Sequence, residues 1–398
     1  MKILVINCGS SSIKFKLFEM PEEILLAEGM VEKIGEEVSF FTLKTESKTE
    51  RQKIKISNHS KGLELIAKSL TDRKNNIISS IDEIKGIGHR VVHGGEGFDR
   101  SVVIDDFVIK RIEEYQDLAP LHNPHNLTGI KASMKSFPEA IQVAAFDTAF
   151  HTTIPPVSYI YGIPYRYYEK YKIRRYGFHG TSHRYVARRT AEIMGLGKYD
   201  INVITCHLGN GCSITACKNG KSIDTSMGLT PLEGLLMGTR TGDIDPGVIF
   251  YIAGKEGLSV DEINKIFNKK SGLLGISGLS NDFRNLMENI ENPRVKLAVD
   301  IFCYRIKKYV GSYMAILGKV DAISFTAGIG ENVAYVREKS LENLENYGIE
   351  IDKEKNEKMV GRKEGEISKD NSKIKVFVIP TNEELRIAFD TYQFIRNR

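Results

Sequence analysis

At 398 residues the chain is longer than one hydrophobic core ordinarily fills, so two domains are expected. Hydrophobic residues make up 41% and charged residues 27%, the balance of a soluble globular chain; the net charge of +5 is spread with both signs interspersed, which argues against nucleic acid or a membrane surface as partner. The longest unbroken apolar run, Val248 to Ala253, is far too short for a membrane span, and Ile3 to Ile6 falls short of the roughly 7–15 residues of a secretory core.

The first elements read as β structure. "KILVIN" is a buried strand; after the Gly-Ser-Ser-Ser turn, "IKFKLF" alternates, with Ile13, Phe15 and Leu17 on one face and Lys14 and Lys16 on the other. "EILLAEGMVEKIG" and "EVSFFTLKT" continue in the same style. A helix is expected over Gly62–Leu70, a strand over Ile84–Val92, helices over Phe107–Gln116 and Leu127–Met134, and a buried strand "IQVAAFD" that ends at Asp147. Thr153–Tyr171, with three prolines and six tyrosines and no period, reads as an irregular crossing segment near a domain boundary. Ser182 is placed to cap a helix carrying Val186, Thr190 and Ile193.

Then the opening pattern returns. "INVITCHLGNGCSITACKNGKSIDTS" is strand, glycine turn, strand, Asn-Gly turn, strand, and sets "LGNGCS" where "CGSSS" stood, an internal duplication of a β-hairpin unit. Downstream, Asn292 can cap and Pro293 can start a long helix whose apolar stripe is Val295, Val299, Phe302, Ile306, Val310, Tyr313 and Leu317. "AISFTAGIGEN" reads as a strand, a Gly-rich turn and a helix through Leu344 that Gly348 can close; "KVFVIPTNEELRIAF" is a last strand, turn and helix. The fold class is α/β.

Three Gly/Ser-rich turns follow strands, at Gly9–Ser12, Leu208–Ser213 and Gly328–Asn332. Backbone N–H groups of such turns can hold phosphate oxygens. One turn means little; three, two of them in duplicated hairpins, suit a nucleotide held between two half-sites. Neither a P-loop nor a dinucleotide G-x-G-x-x-G pattern is present. Eight of nine histidines fall between His89 and His207. "HNPHN" suits zinc poorly, because a proline stands between its histidines. Donors placed around a transferring anion are the sharper reading: Arg90 at a strand end, His179 just before a helix N-terminus and Arg240 in a Gly-rich loop. Taken singly, each arginine is better explained as an ion pair and each histidine as a structural hydrogen bond. Asp147 at the end of a buried strand is either a turn former or a placed catalytic group. In "PTNEEL", Thr381 and Glu384 match a capping box, which leaves Glu383 to face a divalent cation. The five cysteines, odd in number and without C-x-x-C, read as reduced thiols of a cytoplasmic protein; Cys206, Cys212 and Cys217 are apolar filler.

The stretches "NCGSSSIKF", "HRVVHGGE", "PLHNPHN", "FDTAFH", "RYGFHGTSHRYV", "CHLGNGCS", "DTSMGLTPLEGLLMGTRTGDIDP", "TAGIGEN" and "PTNEEL" run in order from Asn7 to Leu385. In these the chain resembles the acetate/propionate kinase family. The resemblance implies two duplicated ribonuclease-H-like, actin-like ATPase domains with a nucleotide cleft, 1–149 completed by the helix 385–398, and 150–384. It implies reversible phosphorylation of acetate to acetyl phosphate, with ATP/ADP as co-substrate and Mg²⁺, or Mn²⁺ in its place, as metal, in a cytoplasmic homodimer. Asn7 and Glu383 would then serve the metal. Lys14 and the turn His207, Leu208, Gly209, Asn210, Gly211 would handle phosphates. Asp282, Phe283, Arg284 and Gly330, Glu331, Asn332, Val333, Ala334 would hold the adenosine. Arg90 and Arg240 would grip the carboxylate and the transferring phosphoryl, His179 would stabilise the transition state, and Asp147 would orient an arginine or the metal shell. Val92, Leu121, Phe178 and Pro231 would line the methyl pocket. Cys8 and His125 depart from the family's usual Ala and from "HNPAN". Rival readings are a propionate or butyrate kinase, a conformational ATPase and a non-catalytic nucleotide scaffold.

Overall fold

The computed structural model describes residues 1–120 and 122–397. The chain divides into two compact units: Met1–Ala149 with Asn382–Arg398, and Phe150–Thr381.

The first unit is built on one sheet of strands β1 (Lys2–Cys8), β2 (Ser12–Glu19), β3 (Ile24–Glu32), β4 (Ser39–Lys44), β5 (Thr49–Ile54), β6 (Ile84–Val91), β7 (Val102–Val103) and β8 (Ile141–Phe146). Their order is β5-β4-β3-β2-β1-β6-β8-β7. β1 runs antiparallel to β2 and parallel to β6, which is parallel to β8. Almost every side chain of β1 is buried, because helices cover both of its faces. Leu4, Ile6 and Cys8 join Ile13, Phe15 and Leu17 of β2 in a core closed by Leu63, Ile66 and Leu70 of the helix His59–Thr71. Ile3 and Val5 turn the other way, to Ile387 and Ala388 of the helix Glu383–Arg396. That last helix lies flat on β6: a Cβ at Gly88 would fall 2.4 Å from Ile387, and one at Gly86 2.6 Å from Ile395. The two glycines set how closely helix and strand approach.

The second unit repeats the plan with β9 (Val203–Leu208), β10 (Cys212–Lys218), β11 (Lys221–Thr225), β12 (Ala322–Thr326), β13 (Gly365–Glu366) and β14 (Lys375–Val378), in the order β11-β10-β9-β12-β14-β13. β9 is antiparallel to β10 and parallel to β12, which is parallel to β14. The run β11-β10-β9-β12-β14 thus matches β3-β2-β1-β6-β8 strand for strand and direction for direction. The duplicated hairpin of the sequence is the first half of each copy. The helix Gly180–Ile193 packs Val186, Ala187 and Ala191 into this unit's core. The helix Pro293–Leu317 starts at the Asn292 cap and buries the whole stripe from Val295 to Leu317. All five cysteines are buried and unbridged.

Four local expectations need correction. Asn382, Glu383 and Glu384 belong with the first unit rather than with 150–384. The capping box does not form: the Asn382 side chain caps the last helix by accepting from Leu385 N at 3.2 Å, while the Thr381 hydroxyl pairs with Ser182 Oγ at 2.8 Å. Asn is as good a cap as Thr and stands one residue closer to the helix. Ser182 does not cap; the helix begins at Gly180, after His179 in a left-handed conformation at φ 56. The turn Gly328–Asn332 is itself helical, within Ala327–Asn332, and the helix expected beyond it ends at Leu341.

Candidate active site

In the first unit the C-terminal ends of β1, β6 and β8 carry the polar residues, the edge at which α/β sheets hold ligands. Arg90, on β6, donates from Nε to Asp147 Oδ1 at 3.0 Å and from Nη2 to Asp147 Oδ2 at 2.7 Å. Its Nη1 lies 3.8 Å from Glu383 Oε2. Asp147 is buried just past β8, its N–H donating to Val91 O at 2.9 Å. Burial alone would lower the Arg90 pKa, but Asp147, Glu383 and Glu384 hold it above the ordinary value. Burial raises the Glu383 carboxyl to about 7, with Arg90 pulling against it and Asp147 and Glu384 adding to the rise. Glu384 itself pairs with Lys16 at 3.2 Å.

Asn7 and Lys14 face each other across the β1–β2 register; Asn7 is half-buried and Lys14 exposed. The turn between them closes through Gly9 N donating to Ser12 O at 2.9 Å, and His59 Nε2 lies 2.8 Å from Gly9 O. Two asparagines of "HNPHN" brace this end. Asn126 donates to Cys8 O at 2.8 Å and accepts from Val92 N at 3.1 Å. Asn123 accepts from His93 N at 3.1 Å and donates to His93 O at 2.9 Å. Sequence reasoning examined the histidines of this motif and missed its asparagines. The signal was the proline, which starts the helix Asn123–Ser136 and points both amides back at the loop after β6. Helix and strand touch at Gly129, where a Cβ would fall 2.3 Å from Cys8 Sγ. Leu121 lies outside the described residues.

In the second unit the turn His207–Gly211 follows β9 and is pinned by Gly209 N donating to Gly211 O at 3.2 Å and Gly238 N donating to Asn210 O at 3.0 Å. Asn210 Oδ1 accepts from Asn281 Nδ2 at 2.9 Å. Two cationic or polar groups converge on Gly211: a Cβ there would sit 3.4 Å from Arg240 Nη1 and 3.6 Å from His179 Nε2. Arg240 donates to Pro231 O at 3.2 Å and approaches Met237 Sδ at 3.8 Å. Among the described residues it forms no ion pair, and burial lowers its pKa. His179 stacks on His207 with ring centroids 4.1 Å apart. Its Nδ1 lies 2.9 Å from Ser213 Oγ.

Other positions singled out in the sequence are structurally engaged. Phe178 is buried, its carbonyl 3.0 Å from His151 Nε2. Asp282 caps the helix Phe283–Glu288 and pairs with the exposed Arg284, while Phe283 is buried against Phe302. Glu331 directs its carboxylate into the fold, accepting from Ala327 N at 2.8 Å and Thr381 N at 3.1 Å. The carbonyls of Gly330 and Glu331 accept from Arg337 Nη1 at 2.8 and 3.0 Å. Arg337, absent from the sequence reading, is fully buried and bonded to backbone carbonyls and Asn356. Asn332 accepts from Gly361 N at 3.0 Å, and Val333 and Ala334 lead into the next helix.

Residues 2–389 match the model of the acetokinase family. The chain belongs to that family. Its enzymes are phosphotransferases with a carboxyl group as acceptor and ATP/ADP as co-substrate. The acetate kinase of Helicobacter hepaticus is 54% identical over 394 residues, 98% of either chain. Among solved structures, Porphyromonas gingivalis acetate kinase superposes with a TM-score of 0.96 at 49% identity over 99% of both chains. A propionate kinase from Francisella tularensis superposes with a TM-score of 0.92 at 45% identity, over 98% of this chain and 99% of that one. No helix among the described residues is long and apolar enough to cross a membrane.

Proposed function

We propose that this acetokinase family member phosphorylates acetate from Mg-ATP, reversibly, giving acetyl phosphate and ADP. The observation that carries this reading is the contrast in how two arginines are held. Arg90 is oriented by a bidentate bond to Asp147, and Arg240, beside His179 and the glycine turn, is a partly buried cation with no acidic partner among the described residues. Acetate is ionised at neutral pH and needs no general base, so Asp147 acts by holding Arg90. Two anions must instead be brought together, and guanidinium forks hold carboxylate and phosphate without titrating. As the phosphoryl group loosens, charge gathers on its equatorial oxygens, where Arg240 and His179 donate. Lys14 and the His207–Gly211 turn take the remaining phosphates. The residues 282–284 and 330–334 hold the adenosine end chiefly through backbone, since Phe283 and the Glu331 carboxylate are engaged inside the fold. The resemblance assigns Val92, Phe178 and Pro231 to the methyl group.

The donor chemistry fits Mg²⁺. The groups at hand are oxygens, the Glu383 carboxylate and the Asn7 amide, and Glu383 stands among carboxylates whose negative charge a cation would offset. Among the described residues no group of three or more His, Cys, Asp or Glu could cage a metal. That suits an ion whose shell is completed by water and substrate phosphates. Bound there, Mg²⁺ would neutralise phosphate charge.

The Francisella neighbour favours propionate as a second acceptor, and one methylene in an apolar pocket is worth only about 1–3 kcal/mol. Free cysteines support a cytoplasmic setting. The exposed Val157, Phe250, Tyr251 and Val260 of the second unit support a homodimer, which light scattering would test. A hydroxamate assay with acetate, propionate and butyrate tests the main reading. Acetate should give the highest kcat/KM, and ATP hydrolysis independent of any carboxylate would overturn the reading.

A further inference from the structure

The start of the helix Gly180–Ile193 lies against β9 and β10, and between them is a set of imidazoles and hydroxyls. Thr205 and His207 stand two apart on β9, and Ser213 of β10 is the register partner of His207, so all three share one face. His179 and His183 are one helical turn apart and reach that face together. Ser213 Oγ lies between them, 2.9 Å from His179 Nδ1 and 2.7 Å from His183 Nε2. The other nitrogen of His183, Nδ1, lies 2.7 Å from Thr205 Oγ1.

His183 is fully buried, and burial, with His151 and His207 nearby, holds its pKa well below the ordinary value. It is therefore neutral, with one N–H and one lone pair. The Ser213 hydroxyl has a single proton and two lone pairs, so it can donate to at most one of the two histidines. Two states are open to His179. In one, His179 Nδ1 receives the serine proton and the ring carries its own proton on Nε2. In the other, His179 donates from Nδ1, and Nε2 is either a bare lone pair or half of an imidazolium. A bare lone pair would repel phosphoryl oxygens. An imidazolium would set a second cation beside Arg240, which forms no ion pair among the described residues.

We propose that Ser213 and His183 are positioning residues that lock His179 in the neutral Nε2–H tautomer, through a one-way chain from Thr205 Oγ1–H to His183 Nδ1, His183 Nε2–H to Ser213 Oγ, and Ser213 Oγ–H to His179 Nδ1. The proposal rests on the reading of His179 as a donor to the phosphoryl group. No bond other than hydrogen bonds is made or broken in it, and no proton is transferred. The serine is the element that gives a histidine outside the core the tautomer dictated by one inside it.

The experiment is ¹⁵N NMR of the full chain labelled in its histidine rings, without nucleotide, with His179→Gln and His183→Gln used for assignment. The expected spectrum at pH 7 to 8 shows His179 and His183 protonated at Nε2 and bare at Nδ1. A proton on His179 Nδ1, or an imidazolium at pH 7.5, would overturn the proposal whether or not any variant folds. In kinetics, Ser213→Ala should lower kcat about 10–100-fold with little change in the KM for acetate, and Ser213→Thr should restore most of it. An Ser213→Ala enzyme with full kcat would also overturn the proposal. Failure of the underlying reading looks different: His179→Ala would keep its turnover, whatever tautomer the wild-type spectrum shows.

Discussion

Arg90 and Arg240 lie in different units and are held in opposite ways. Arg90 is clamped by both oxygens of a buried aspartate, with a second carboxylate at 3.8 Å. Arg240 has a proline carbonyl and a thioether for company and no ion pair among the described residues. A guanidinium braced by carboxylates has a fixed direction but a charge already partly answered. One held by neutral groups keeps its charge for whatever anion arrives, and is costly to bury until that anion does. Under the proposed function, that difference would make Arg90 the positioning arginine and Arg240 the one that answers charge developing during transfer.

The most severe way to break this comparison is Arg240→Ala, which should lower turnover about 100–1000-fold, the usual loss for one transition-state donor. Arg240→Lys should recover little, because an ammonium lacks the fork. Near-normal kcat in steady-state assays would remove Arg240 from the chemistry. Next is Asp147→Asn, which keeps the shape of the Arg90 brace but halves its acceptors and removes its charge. A fall of about 10–100-fold in kcat/KM for acetate is expected, as for other residues that orient a functional group. Full activity would show that Arg90 needs no aspartate.

Two smaller effects sharpen the picture of the first unit. Asn126→Ala leaves Val92 N–H and Cys8 C=O without their partner, and should cost about 1–3 kcal/mol in urea unfolding. An unchanged midpoint would mean that water replaces the amide. His89, buried under the same strand end, is held neutral with a pKa near 4 by burial, against the hydrogen bond to Gln142. The unfolded chain takes up that proton near pH 6.5 and the folded one only near 4. Stability should therefore decline as pH falls through that window, and His89→Gln should flatten the decline between pH 7 and 5. An equally steep decline in the variant would assign it to other groups.

Much of the architecture was legible because it is periodic. The alternation in "IKFKLF" and the apolar stripe from Val295 to Leu317 each report a local pattern, and both are realised, whereas of the three glycine turns Gly328–Asn332 is helical instead. The errors cluster where two acceptable local solutions compete. Thr381 and Asn382 can both cap the last helix, and the long-range bond from Thr381 to Ser182 decides for asparagine. Ser182 fits a cap on paper, but His179 takes the left-handed turn that starts the helix earlier. The candidate site was legible only as a set of residue types. That Arg90 meets Asp147 joins positions 57 apart, and that Ser213 bridges two histidines joins a strand to a helix; neither pairing has a period to betray it. Asn123 and Asn126 were in view but overshadowed by the histidines beside them.

The glycines of β6 have one more consequence, for the order of assembly. Gly86 and Gly88 leave a shallow bed into which the helix Glu383–Arg396 packs, and Ile3 and Val5 are covered by the same helix. A ribosome makes that helix after the entire second unit. Until then the first sheet presents one apolar face to water, so the first unit, although begun earliest, must be finished last. Domains emerging from synthesis tend to fold in order; here the order is interleaved, and the second copy of the fold has its chance to close before the first.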